Sequence, residues 1–441
     1  MAPSATGRRA SGMSRQETRW AWLFLAPWVI GFLVFTGGPM IASLVLSFTE
    51  YDVISAPKFT GLDNYRQLMS DPAVAKSLGN TVFSTALHVP LAIAVSLGLA
   101  LLLQRVGRAS GLFRTIFYLP VMTPAVAVGI LFLFLLNGQT GLINAMLALV
   151  GVQGPNWTTD PAWIKLWTLG STTIIYLAAL NNVPRELYEA ARIEGASSWR
   201  QFRHITVPMI SGALFFTLIV NTIASLQLFA EVYTMYFGNR ATQESTTDAA
   251  LFYVVYLFQQ AFQFLHMGFA SAMAWLLFLI ILAITVLQVR VGNRFVYYEG
   301  TDMATVQDRT GRALGQPVPA RAAQIPERLP PRQPWRRRAL LLVLLTGCSV
   351  LFLVPFVWLI SASLRPRAFV FDTTLLPVPF EPQNYLTVWE AAPLLTWLMN
   401  SLVIGVMAAL AVTLSSAFVA FGFAYFRFPA ATWSSAWSWR P

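Results

Sequence analysis

Apolar residues gather in eight runs separated by polar or Gly- and Pro-marked breaks. They are roughly Trp20–Phe48, Val82–Leu103, Phe113–Leu136, Ala162–Leu180, Val207–Ala230, Gly268–Val289, Ala339–Ser363 and Leu398–Phe421. A helix needs about 20 apolar residues to cross a bilayer. The pattern therefore predicts an all-α polytopic membrane protein. The first run is interrupted by Gly37-Gly38-Pro39, where a kink or tilt is expected. The third contains Pro120 and Pro124, whose freed carbonyls must be satisfied by neighbouring helices. The fourth is the shortest. From Trp163 to Leu180 it gives about 27 Å of helix at 1.5 Å rise, and Lys165 is expected to snorkel from its end.

Composition agrees with this pattern. Of 441 residues, 56% are hydrophobic and 11% charged, and mean hydropathy is +0.58. A soluble domain carries about a quarter charged residues. The first run has no small-residue cleavage site at its end, so it is expected to stay as a helix and not to leave as a signal peptide. The single cysteine, Cys348, excludes an intrachain disulfide and a cysteine-cluster metal site. Its apolar surroundings suit a packed thiol.

The net charge is +11, and its distribution gives an orientation. With the N-terminus inside, twenty-three of the thirty Lys and Arg residues fall on the cytoplasmic side and six outside. Lys and Arg concentrate in cytoplasmic loops of membrane proteins. The excess of positive charge thus reflects topology, and no nucleic-acid partner is inferred. Ten of the basic residues lie between Arg290 and Arg338, a stretch with Pro317, Pro319, Pro326, Pro330, Pro331 and Pro334 and no apolar period. It reads as a solvated spacer. Trp335-Arg336-Arg337-Arg338 at its end suits the inner leaflet, which makes membrane lipids a partner.

Across this spacer the chain starts again. Asn64-Tyr65 precedes Asn80-Thr81 by 16 residues, as Asn384-Tyr385 precedes Asn400-Ser401. Pro39 stands eight residues before Ser47-Phe48, as Pro355 does before Ser363-Leu364. The displacement is 316 to 320 positions, which marks an internal repeat.

Between the fourth and fifth runs lies Glu189-Ala190-Ala191, then Gly195, then Ile205-Thr206-Val207-Pro208. Arg185, Arg192, Arg200 and Arg203 surround it. Small residues allow close helix approach, and Gly195 supports a sharp turn. Glu189 and Arg192 are three apart and share a helix face. The charge bias places this element in the cytoplasm. It resembles the coupling loop of ABC-importer permeases, whose motif has Leu where Val207 stands. Phe59-Thr60-Gly61-Leu62-Asp63-Asn64-Tyr65, Asn80-Thr81, Tyr118-Leu119-Pro120 and Pro184-Arg185-Glu186-Leu187-Tyr188 add to that likeness. The chain thus resembles permeases of the carbohydrate-uptake importers, of the maltose and glycerol-3-phosphate type.

The resemblance implies a complete six-helix permease over residues 1–299, a cytoplasmic linker over 300–338 and the truncated start of a second permease over 339–441. That second part, recognised by Phe380-Glu381-Pro382-Gln383-Asn384-Tyr385 and Asn400-Ser401, contributes two additional transmembrane helices and an aberrant tail. The resemblance also implies ABC ATPase subunits, a second permease subunit and an extracytoplasmic solute-binding protein as partners, in a bacterial cytoplasmic (inner) membrane. Glu189, Ala190, Ala191, Arg192, Gly195 and Pro208 would carry ATPase coupling. The chain would be no enzyme and bind no cofactor of its own, with ATP hydrolysed by the partner. Nothing in it resembles a phosphate-binding loop.

Polar groups inside a membrane bundle should face its interior. In the fifth run these are Asn221, Ser225 and Gln227, with Glu231 beyond and Phe215, Phe216 and Phe229 nearby. Asn221 and Ser225, four apart, share a face. Aromatic walls with a few hydrogen-bonding groups suit a sugar, although polar residues also serve helix packing. His88, His204 and His266 lack metal-ligand spacing. Two alternatives compete. One is a membrane glycosyltransferase using Asp52, Asp63, Asp71 or Asp160, which lack paired spacing; the other is an inactive remnant of a broken fusion.

Overall fold

The computed structural model describes residues 12–104, 106, 110–158, 160, 185–237, 248–292, 295–296, 335–369 and 376–425. The fourth apolar run, the linker from 300 to 334 and the tail from 426 lie outside them. In chain order the first helices are α1 (Gly12–Phe32), α2 (Gly38–Leu46), α3 (Asp63–Ser70), α4 (Pro72–Gln104), α5 (Ser110–Met122), α6 (Ala125–Leu135) and α7 (Leu142–Leu149). Then follow α8 (Arg185–Ile193), α9 (Ser198–Gln201), α10 (Val207–Met209), α11 (Ser211–Leu226), α12 (Ala230–Tyr236), α13 (Tyr253–Phe258) and α14 (Met267–Gly292). The last are α15 (Trp335–Ser363), α16 (Gln383–Ala391) and α17 (Leu394–Tyr425). A two-stranded antiparallel hairpin joins β1 (Thr49–Glu50) to β2 (Lys58–Phe59), with Thr49 opposite Phe59.

Six helical stretches among the described residues are long and apolar enough to cross a membrane. They are Thr18–Leu46, Pro72–Gln104, Ser211–Tyr236, Met267–Gly292, Ala339–Ser363 and Leu394–Tyr425. Each coincides with an expected run. The second starts ten residues before the expected Val82. Asp71 explains this: its Oδ1 accepts the Ala73 amide at 2.8 Å, and Pro72 takes the first helical position, where no amide hydrogen is needed. The third run is divided into α5 and α6. Pro124 sits at φ −56°, ψ 136°, and its carbonyl accepts the Val128 amide that opens α6. The expected tolerated prolines thus act unequally: Pro120 lies within α5, and Pro124 ends one helix and starts the next.

The chain forms two compact units, Met1–Phe48 with Tyr385–Pro441, and Thr49–Asn384. In the first, a π-helical turn over Leu33–Gly37 separates α1 from α2. The Gly38 amide bonds the Leu33 carbonyl, five residues back. The widened turn absorbs the clash that Pro39 brings to a straight helix. The far end of α17 packs on α1 through buried Ala21 and Leu25, with the Phe24 ring 5.8 Å from Phe418 and 5.2 Å from Phe421.

In the second unit α4 is the spine. Its buried positions include Ser77, Asn80, Thr81, Ser84, Thr85, Val89, Ala92, Ser96, Ala100 and Leu103. These recur every three or four residues, so they form one seam. Most are small, which lets helices approach closely in lipid. Helices α11 and α13 pack against this spine.

Near the start of α4, side chains hold a bend. The Asn80 amide donates to the carbonyls of Asp248 at 2.8 Å and Leu251 at 2.9 Å. The Tyr253 amide donates to Thr81 Oγ1 at 2.9 Å. The Tyr256 hydroxyl donates to Asp71 Oδ2 at 2.7 Å. Burial, and then the Asp71 carboxylate, push that phenol up to about 12, so it remains a donor at any physiological pH.

The repeat recurs in hydrogen bonding. Asn64 Nδ2 donates to the Thr49 carbonyl at 2.9 Å, and Asn384 Nδ2 donates to the Arg365 carbonyl at 2.7 Å. Thr49 and Arg365 are 316 positions apart, and Asn64 and Asn384 are 320 apart. The two offsets are those of the sequence repeat.

Replacing Asn80 by Leu strands two carbonyls in a buried bend. The expected cost is about 2–4 kcal/mol, seen as a lower Tm for the detergent-purified protein. An unchanged Tm would show that the bend does not depend on Asn80.

Candidate functional site

The segment Arg185 to Met209 folds into a helical knuckle. Helix α8 ends at Ile193, and the chain then reverses. The Ala196 amide donates to the Ala191 carbonyl at 2.8 Å, and the Gly195 amide to the Arg192 carbonyl at 3.1 Å. This paired arrangement satisfies the last free carbonyls of a helix and requires a left-handed residue between them. Gly195 supplies it, with φ +75°. Ser197 then caps α9 by accepting the Arg200 amide at 3.3 Å. Gln201 Nε2 reaches back to the Ala196 carbonyl at 2.9 Å. A π-helical turn over Phe202–Thr206 leads to Pro208 at the start of α10.

The inner side of the knuckle is anchored. The Tyr188 hydroxyl and Thr206 Oγ1 are 2.9 Å apart and tie the two arms together. Tyr188, Ile205 and Met209 pack on a core of Leu99, Leu103, Phe113, Phe117, Ile210 and Leu345. The knuckle therefore sits on a cluster drawn from α4, α5, α15 and the Ile210 junction before α11.

Its outer side is open. Glu189, Ala190, Arg192, Gly195, Arg200, Arg203 and His204 are exposed, while Ala191 and Pro208 are half-buried. The six residues expected to carry coupling thus share one element, with Glu189 and Arg192 outward as their spacing predicts. The structure adds two apolar side chains that motif reasoning did not single out. Ile193 is 88% exposed and Trp199 68% exposed, with Trp199 stacked on Phe202 at 5.5 Å. A large apolar residue at an amphipathic helix end was the available signal.

Asn221 and Ser225 share a face of α11, and Gln227 falls beyond its end. Ser225 is buried near the end of α11, and Gln227 follows that helix and is exposed. Asn221 differs from both: its Nδ2 is buried and finds no partner among the described residues. Phe229 stacks with Tyr233 and Phe258 in a separate aromatic group. Among the described residues, no three His, Cys, Asp or Glu side chains gather as metal ligands would.

Residues 91–297 match the family described as "Binding-protein-dependent transport system inner membrane component". The probable ABC transporter permease protein YesP of Bacillus subtilis (strain 168) is 36% identical over 312 residues, which are 67% of this chain and 99% of that protein. The chain belongs to this permease family. The lactose transport system permease protein LacF of Rhizobium radiobacter is 37% identical over 281 residues, 60% of this chain and 92% of that one. The solved structure of a bacterial alginate ABC transporter, in complex with an alginate pentasaccharide-bound periplasmic protein, superposes with a TM-score of 0.57. That match covers 65% of this chain and 98% of that one at 23% identity, and it establishes a shared fold. The permease is a multi-pass membrane protein and a transport subunit, not an enzyme.

Gly195→Ala forces a side chain into the left-handed region, at about 1–2 kcal/mol. Amide exchange at Ala196 should quicken about tenfold, with Gly195→Asn closer to the parent. Equal exchange in all three proteins would mean that the turn does not depend on glycine.

Proposed function

We propose that this permease carries a sugar, or a related polyol or oligosaccharide, into the cell, and that the knuckle around Gly195 receives an ABC ATPase. The carrying observation is the knuckle's construction. A hydrogen-bonded turn packs on an apolar cluster through Tyr188, Ile205 and Met209 on one side and presents Glu189, Arg192, Ile193 and Trp199 on the other. Such a surface offers charge pairing at its edge and an aromatic anchor, features that concentrate binding energy at interfaces. The Lys and Arg bias supports a cytoplasmic position for it, with the N-terminus on the same side of a bacterial cytoplasmic membrane. ATP is then used by the partner, and this chain needs no cofactor.

The cargo class rests on relatives named for lactose and alginate transport. A second permease subunit and an extracytoplasmic solute-binding protein complete the assembly, the latter by analogy with the periplasmic protein of the alginate complex. Residues 1–299 form the permease unit on this reading, 300–338 the linker and 339–441 the opening of a second permease. Asn221 is the favoured solute contact, because its unpartnered amide can donate to a hydroxyl. Ser225 and Gln227 are secondary candidates.

Two outcomes test this. Gly195→Glu should abolish ATP-driven sugar uptake by the assembled transporter while alkali extraction still finds the chain in the membrane. Normal uptake would refute the coupling assignment. Asn221→Leu should change the apparent affinity for the sugar by about tenfold, the worth of one good hydrogen bond. A change confined to the amount of protein would assign Asn221 to helix packing instead.

A further inference from the structure

Helix α17 repeats α4 at a displacement of 320, since Asn400-Ser401 stands where Asn80-Thr81 does. The buried seam of α4 at Thr85, Val89, Ala92 and Ser96 then maps onto Gly405, Ala409, Val412 and Ser416. In α4 these four, with Asn80 and Thr81, are at most 8% exposed. Within its own unit α17 leaves every side chain from Leu395 to Leu414 exposed, and a Cβ on Gly405 would meet nothing there. The mapped positions fall on one side of the helix. Val403 and Leu410 lie on the opposite side.

What covers the α4 seam is visible. It is a bend, Asp248 to Tyr253, followed by α13, together with α11. Asn80 and Thr81 recognise that bend through two carbonyls and one amide. Asn400 and Ser401 present the same amide donors and hydroxyl acceptor.

We propose that this face of α17 docks the bend-and-helix unit of a separate polypeptide of the same permease family, with Asn400 holding its bend as Asn80 holds Asp248–Tyr253. The proposal rests on the reading that residues 339–441 open a second permease. Hydrogen-bond complementarity selects the occupant. Acyl chains offer Asn400 no carbonyl, whereas a bend such as Asp248–Tyr253 does. A second copy of this chain has its own bend already bonded to its own Asn80 and Thr81. The small residues at 401, 405 and 409 also suit close helix approach.

The test uses the full chain in membranes of its source organism, with a benzophenone amino acid placed singly at positions 403, 405, 409 or 410. Adducts are identified by mass spectrometry. Positions 405 and 409 should attach to a polypeptide whose sequence belongs to the binding-protein-dependent permease family, and positions 403 and 410 to lipid alone. Asn400→Leu, in a chain that still resists alkali extraction, should lower the yield at 405 about tenfold. Lipid adducts at all four positions would overturn the proposal. So would adducts between two copies of this chain, or with a polypeptide of another kind. Uptake by the Gly195 variant reports on the coupling knuckle alone, so failure there is distinguishable from failure here.

Discussion

A bend packed against other elements leaves backbone groups that must find partners within the protein. This constraint organises the structure. At the start of α4, Asn80 and Thr81 take up two carbonyls and an amide of the Asp248–Tyr253 bend. At the hairpin Asn64 takes the Thr49 carbonyl, and at the end of α15 Asn384 takes those of Ser363 and Arg365. Asparagine serves each time because its short amide carries two donors that reach sideways to a neighbouring backbone. At the other end of α4 the solution is local. Gly195 closes α8 on its own carbonyls.

The same rule explains why a seam of hydroxyl residues is tolerated. Ser77 and Thr81 bond carbonyls three and four residues back, and Thr217 and Thr222 do likewise on α11. Each of these four is satisfied by its own helix and shows neighbours only a small surface, whereas Thr85 Oγ1 in the same seam finds no partner among the described residues. Asn221 does not bond its own helix in this way, which separates it from the residues around it. Gln288 does the opposite by reaching across to Thr222 at 2.9 Å. Of the polar groups in this bundle, only some are spoken for by packing.

The apolar runs announced most of the architecture, because length and hydropathy decide which segments cross a bilayer. Gly195 was legible for a similar reason: its place between a small-residue helix and a polar stretch leaves few other roles. Three features were not. The early start of α4 depended on Asp71-Pro72, a capping signal hidden in a polar loop. The break at Pro124 depended on whether neighbours could satisfy the freed carbonyl, which is a tertiary matter. The outward aim of Ile193 and Trp199 depended on which side of α8 Tyr188 would anchor. Asn221 and Gln227 looked alike in sequence; only the end of α11 at Leu226 separates them.

The knuckle's stiffness follows from how its bonds are distributed. A loop held only at its ends would bend when pushed and pass little motion onward. Here the turn itself is bonded through Gly195 and Ala196, the arms are joined through Tyr188 and Thr206, and Gln201 spans the gap between them. The inner surface packs on one apolar cluster through Ile205, Met209 and Tyr188. If a partner engages Trp199 and Ile193 as proposed, a push there would act on the knuckle as a body and on the apolar cluster beneath it. Asn80 holds the far end of α4 to the bend that leads into α13. On the proposed coupling role, motion entering at the knuckle would tilt α4 about that end, with the spine of the bundle as its lever.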